Sequence, residues 1–140
     1  MRRRLEVRAT TDRAVVYDDF AHHPREIAAS LQAVRTAGGG ARVVAVFEPR
    51  SNTMKMGRHD AALADAFAAA DSVLCYRPPE WPGGGALAAH ADARVYDSEA
   101  RMWEALRDDM QTGGHYVVMS NGGFFNFAGR LAALAKEAAA

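Results

Sequence analysis

"RVVAVFEPRSNTMK", Arg42 to Lys55, carries five consecutive apolar residues and then turns abruptly polar at Glu48-Pro49. A short, uninterrupted apolar run of this kind reads as a strand covered on both faces, as in the centre of a parallel sheet. "SVLCY", Ser72 to Tyr76, and "HYVVMS", His115 to Ser120, have the same character, and "ARVYD", Ala93 to Asp97, is a shorter strand. Upstream, "RLEVRAT", Arg4 to Thr10, alternates apolar and polar residues and is separated from "AVVYD", Ala14 to Asp18, by three residues. That spacing predicts an antiparallel hairpin.

Helical spacing fills the gaps between the strands. Pro24 suits a first helical turn, Ile27, Leu31 and Val34 share one face, and Gly38 to Gly40 close the element. A second helix is expected from near Asp60, with Leu63, Phe67 and Ala70 on one side. Ser98 is a cap for a third, whose stripe reads Trp103, Leu106 and Met110; the last turns Phe127, Leu131 and Leu134 inward. "RPPEWPGGG" is a loop in which Trp81 forms either a lid or a local packing anchor, Gly85 to His90 allow a short helix, and Gly113–Gly114 read as plain loop. The alternation of strand and helix predicts one α/β domain. Its sheet has about six strands, mainly parallel, with the N-terminal hairpin strand antiparallel.

Composition narrows the function. The 140 residues carry 17 basic and 17 acidic side chains, a balance that argues against a general nucleic-acid or membrane-surface binder. No apolar stretch is long enough to span a bilayer, and "MRRRLEV" lacks a signal-peptide core. The single Cys75 lies inside an apolar strand, where a small buried thiol is expected rather than a nucleophile, and one cysteine suits a reducing compartment. The cytoplasm is the expected location.

Three polar loops follow three strands: "DDFAHHP" after Tyr17, "EPRSNTMK" after Phe47 and "SNGGF" after Met119. In open α/β sheets, ligands gather at the carboxyl ends of the strands, so parallel strands would direct all three loops to one edge. Asp18, Asp19, His22 and His23 could cap a helix or, alternatively, bind a metal; adjacent histidines without a cysteine argue against the metal. Arg50 offers a two-pronged hydrogen bond to carboxylate or phosphate, and Lys55 a point charge. Gly122 and Gly123 permit close backbone approach at the start of a helix, or simply a tight turn. His59, His90 and His115 are scattered and are expected on the surface or at helix caps. A free-standing binding module for a nucleotide or acidic peptide, or an interaction domain with solvated loops, would also fit these residues.

"RRLEVR", "VYDDFAHHP", "FEPRSNTMKMG" and "MSNGGF", taken in this order, resemble the C-terminal domain of the Mur ligases, and most closely its peptidoglycan-recycling branch. The resemblance covers nearly the whole chain. It implies a Rossmann-like three-layer domain, with 1–13 as linker and first hairpin strand and 14–140 as the substrate-closing domain. The family's UDP-sugar and ATP domains would lie outside this chain.

The implied reaction is the ATP-dependent joining of UDP-N-acetylmuramate to the L-alanyl-γ-D-glutamyl-meso-diaminopimelate tripeptide. Arg4 and Asp19 match positions that contact ATP, and His22 and His23 match positions facing the substrate cleft. Arg50, Ser51, Asn52, Thr53 and Lys55 match a loop lining the peptide site, and Ser120, Asn121, Gly122 and Gly123 match a second loop closing on it. The resemblance implies no metal ligand here: ATP and Mg²⁺ are held mainly by the central domain, and no G-x-x-x-x-G-K-[ST] cradle occurs in this sequence. The isolated chain is therefore expected to lack ligase turnover. Where the family has a glycine-rich continuation ending near a histidine, this sequence reads "FNFAGR".

Overall fold

The computed structural model describes residues 5–19, 24–48, 65–76, 93–119 and 126–139. These residues form a six-stranded sheet in the order β1-β2-β6-β3-β4-β5. The strands are β1 (Glu6–Thr10), β2 (Ala14–Asp19), β3 (Val43–Phe47), β4 (Ser72–Tyr76), β5 (Ala93–Tyr96) and β6 (Gly114–Met119). β1 pairs antiparallel with β2, with an irregularity between Val7 and Ala9, and the remaining pairings are parallel. Thr11 closes the hairpin: its backbone N–H donates to the Ala14 carbonyl at 2.8 Å, and its Oγ1 accepts from the Ala14 N–H at 3.0 Å.

Three described helices cover the sheet: α1 (Pro24–Ala37), α2 (Glu99–Met110) and α3 (Phe127–Ala139). Every residue of β3 is buried, as its unbroken apolar run requires. The pleat sends alternate residues to opposite faces. Val43, Ala45 and Phe47 meet Ile27, Leu31 and Val34 of α1, together with Phe67 and Ala70. Val44 and Val46 meet Met102, Leu106 and Met110 of α2 and Phe127 and Leu131 of α3. The result is a three-layer, Rossmann-like α/β/α domain, as the alternation of elements predicts.

Ser98 caps α2, its Oγ accepting from the Arg101 N–H at 3.4 Å. The inward stripe of α2 is Met102, Leu106 and Met110, so the expected Trp103 is displaced by its neighbour. Trp103 sits beside the stripe, half-buried, with its ring stacked on Phe127 of α3 at 6.0 Å. The expected helix near Asp60 lies largely outside the described residues, although Phe67 and Ala70 are buried as predicted. Trp81 and the 85–90 segment also lie outside them.

Gly113 and Gly114 are not plain loop. Gly114 opens β6, opposite Ala14 of β2, and both glycines have positive φ. His115 is likewise no helix cap, and it is half-buried rather than fully at the surface. It belongs to β6, its Nδ1 lies 2.9 Å from the Tyr17 hydroxyl, and the two rings stack at 5.8 Å.

Cys75 is fully buried in β4, and burial, followed by the negative charge of Glu48, pushes its thiol well above the usual range. The protonated thiol is a poor nucleophile. Iodoacetamide is therefore expected to leave the native protein unmodified in mildly alkaline buffer and to alkylate Cys75 once denaturant is added. Mass spectrometry showing rapid native-state alkylation would contradict this reading.

Candidate functional site at the carboxyl edge of the sheet

The chain enters the sheet centre out of sequence order. β6 inserts between β2 and β3, so three strands that each precede a polar loop lie side by side. Their carboxyl ends are level: Asp19 is opposite Met119, and Met119 is opposite Phe47. The Glu48 N–H donates to the Met119 carbonyl at 3.2 Å, extending the ladder one residue past β3.

After these ends the chain departs to different layers. It re-enters described structure at α1 after β2, at 65–70 on the same face after β3, and at α3 on the opposite face after β6. Neighbouring connections that leave to opposite faces open a crevice at the strand ends, where open α/β sheets place their ligands. Here the described element after β6 lies on the face opposite to those that follow β2 and β3.

Of the residues that the family resemblance assigns to the site, Asp19 is the one within the described structure. It ends β2 and is fully buried. Arg4, His22, His23, Arg50, Ser51, Asn52, Thr53, Lys55, Ser120, Asn121, Gly122 and Gly123 lie outside the described residues. The strand ends that launch their loops are brought together, since Asp19, Phe47 and Met119 stand at one level of adjacent strands.

Of the neighbouring acids, Glu48 carries no assignment in the sequence reading, whereas Asp18 is read there only as a possible helix cap or metal ligand. Glu48, one residue past β3, is a buried acid at the same edge, 5% exposed. Its signal was available, because it ends an apolar run buried throughout and so inherits that depth. Asp18 accepts from Arg8 Nη1 at 3.0 Å, tying the outer strand β1 to the end of β2. The edge thus concentrates three carboxylates, Asp18, Asp19 and Glu48, while the basic groups of the sequence motifs belong to the loops that follow.

No three of His, Cys, Asp and Glu among the described residues converge to hold a metal ion. No described helix is long and apolar enough to cross a membrane.

Comparison with known proteins agrees with this architecture. Residues 3–122 match the family model described as Mur ligase, glutamate ligase domain. The chain is 44% identical to the UDP-N-acetylmuramate–L-alanyl-γ-D-glutamyl-meso-2,6-diaminoheptandioate ligase of Escherichia coli K12, over 99% of its own length and 32% of that protein. A crystallised domain assigned to a UDP-N-acetylmuramate:L-alanyl-γ-D-glutamyl-meso-diaminopimelate ligase of Haemophilus ducreyi superposes with a TM-score of 0.77 at 35% identity, covering 94% of this chain and 99% of that one. A murein peptide ligase from Psychrobacter arcticus gives a TM-score of 0.80 at 36% identity, over 95% of this chain and 30% of its own. The chain thus spans about a third of the length of the curated relatives it matches.

Proposed function

We propose, from the premise that this chain belongs to the Mur ligase family and corresponds to its C-terminal, glutamate ligase domain, that it forms one wall of a ligase active site. The ligase joins UDP-N-acetylmuramate to the L-alanyl-γ-D-glutamyl-meso-diaminopimelate tripeptide at the expense of ATP, in the cytoplasm. The level carboxyl ends of β2, β6 and β3 support this reading, since each of these adjacent strands immediately precedes one of the three polar stretches of the sequence.

The chemistry divides between this wall and the domains that would face it. A muramate carboxylate is activated as an acyl phosphate, and the peptide amine displaces phosphate from it. Positioning and charge neutralisation dominate such phosphoryl transfer. This chain has no phosphate cradle, so its part is to orient the incoming peptide and close on the nucleotide. Arg50 and Lys55 hold acidic groups of the peptide, with Ser51, Asn52 and Thr53 beside them. Ser120, Asn121, Gly122 and Gly123 bring backbone N–H groups to the same substrate, while His22 and His23 face the cleft. Arg4 and Asp19 serve the nucleotide side. Asp19 is fully buried, so its contact with the ribose requires the edge to rearrange as the domains close.

The test is a chimera in which this chain replaces the matched third of the E. coli relative. ATP-dependent joining of UDP-N-acetylmuramate to the tripeptide is expected, with no turnover by the 140-residue chain alone. A folded chimera that releases no phosphate in the presence of both substrates would overturn the assignment, as would turnover by the chain by itself. In the active chimera, Asp19→Asn is expected to raise KM for ATP about 10- to 100-fold, the range of a lost charge-assisted hydrogen bond. An unchanged KM for ATP would remove Asp19 from the nucleotide side.

A further inference from the structure

The edge of the sheet opposite the candidate site carries a cavity of about 300 Å³ that the ligase reading leaves without a role. Segments far apart in sequence wall it. The second half of α2 supplies Glu104, Arg107, Asp108 and Gln111, which follow one another at the three- and four-residue intervals that share a helix face. Arg13, at the turn of the β1–β2 hairpin, and Leu134 of α3 complete the walls. Met110, 3% exposed, lines it from the core side.

The backbone under these side chains is tied down. The Arg13 carbonyl accepts from the Gly114 N–H at 3.1 Å, and the Arg13 stem lies so close to Gly113 that an added Cβ there would sit 2.8 Å from its Cγ. At the end of α2, the Gln111 and Thr112 N–H groups donate to the Asp108 and Asp109 carbonyls at 3.2 and 2.9 Å. Walls on such fixed elements hold their side chains in a repeatable arrangement.

The charges around the cavity differ from those beside it. Asp109, next in sequence to Asp108, has Arg42 at 2.7 Å and Arg94 at 3.7 Å. Arg13, Glu104, Arg107 and Asp108 make no ion pair and no side-chain hydrogen bond among the described residues. Two cations and two anions thus border one cavity without neutralising one another. Their sum is zero, so a bare anion or a bare cation gains little from the site as a whole. A molecule with one charge of each sign gains from both pairs. A guanidinium takes a carboxylate through two parallel hydrogen bonds, and carboxylates accept from an ammonium. Met110 and Leu134 offer apolar surface to the body between the charges. The volume lies at the low end of the roughly 300–1,000 Å³ typical of ligand pockets, which suits an amino acid or a dipeptide.

We propose that this cavity binds a small zwitterion with an apolar body, of the class of free apolar amino acids and dipeptides. Arg13 and Arg107 hold its carboxylate, and Glu104 and Asp108 hold its ammonium. The site is independent of the ligase reading: β2 and β6, six residues each, set this edge about 20 Å from the candidate cleft.

The test is a titration of the 140-residue chain with L-leucine, read by the amide shifts of labelled protein. Saturable shifts are expected around Arg13, Arg107 to Gln111 and Leu134, half-complete at about 1 mM, an affinity within reach of so small a ligand. N-acetyl-leucine lacks the ammonium and leucinamide lacks the carboxylate, and each should bind about tenfold more weakly or worse. Arg107→Gln and Glu104→Gln, at exposed positions, should each weaken leucine about tenfold and leave the amide shifts of β3 and β4 as in wild type. Shifts that never saturate would overturn the proposal, as would equal binding of leucine and either blocked compound, or wild-type affinity in either variant. Acetate or inorganic phosphate moving the same amides with the half-saturation of leucine would make this an anion site and overturn it as well.

Discussion

Arg42→Met should lower the stability of the domain by about 3 kcal/mol, with a fall in Tm of roughly 10 °C. Arg42, just before β3, grips Asp109 near the end of α2 with both terminal nitrogens, at 2.7 and 2.8 Å. The Tyr116 hydroxyl donates to the same carboxylate at 2.7 Å, and Arg94 of β5 stands 3.7 Å away. This cluster joins β3, β5, β6 and α2 at the edge opposite the candidate site. Removing the guanidinium leaves Asp109, 7% exposed, as a charge in a poorly solvated place. The magnitude is set at the low end for an orphaned buried charge because Arg42 keeps 29% of its own side chain exposed.

The pH dependence has a definite sign. Burial pushes the Asp109 carboxyl upward, but Arg42 and Tyr116 outweigh it and hold the carboxyl below its ordinary range. A depressed carboxylate contributes stability above its unfolded pKa of about 3.9, and loses it as pH falls through the folded value. In Arg42→Met the burial effect loses its main counterweight, so Asp109 protonates more readily and no longer needs a cation. The stability gap between wild type and variant should therefore be widest near neutrality and narrow as pH falls through the ordinary carboxylate range. Urea unfolding at several pH values checks this. A gap that stays constant down to acid pH would show that the loss is packing rather than charge.

Gly114→Ala is the second large effect, expected to cost about 2–3 kcal/mol. Gly114 has φ 137°, and a Cβ there would meet the Arg42 carbonyl oxygen at 2.7 Å, which is backbone and cannot swing aside. The close approach is built into the sheet, because the His115 N–H donates to that same Arg42 carbonyl at 2.7 Å. Relief would require β6 to move away from β3. Since β6 is the strand on which the candidate edge is centred, the displacement should reach Met119. Thermal unfolding gives the stability, and amide shifts of Glu48, whose N–H donates to the Met119 carbonyl, report the far end. A variant that unfolds like wild type would mean that the turn before β6 adjusts without the sheet.

The predictions that came true from local pattern share a cause. The full burial of β3, the hairpin with its Thr11 turn, the Ser98 cap and the inward face of α1 are consequences of side-chain period and turn chemistry, which act over a few residues. Trp103 was misassigned as a core residue because neighbouring helical positions differ by less than a third of a turn, and period cannot say which of Met102 and Trp103 points inward. His115 and Gly114 looked unremarkable because what they contact, Tyr17 and Arg42, lies far away in sequence.

The sequence by itself determined the α/β class, the three polar loops and the family they resemble, because each is written in short stretches of contiguous residues. The tertiary structure alone decided that β6 slips between β2 and β3, and that Asp109 finds Arg42 across 67 positions. Strand order and buried pairings are settled by packing two helical layers onto a twisted sheet with right-handed crossovers, a condition on the whole chain that no local window contains.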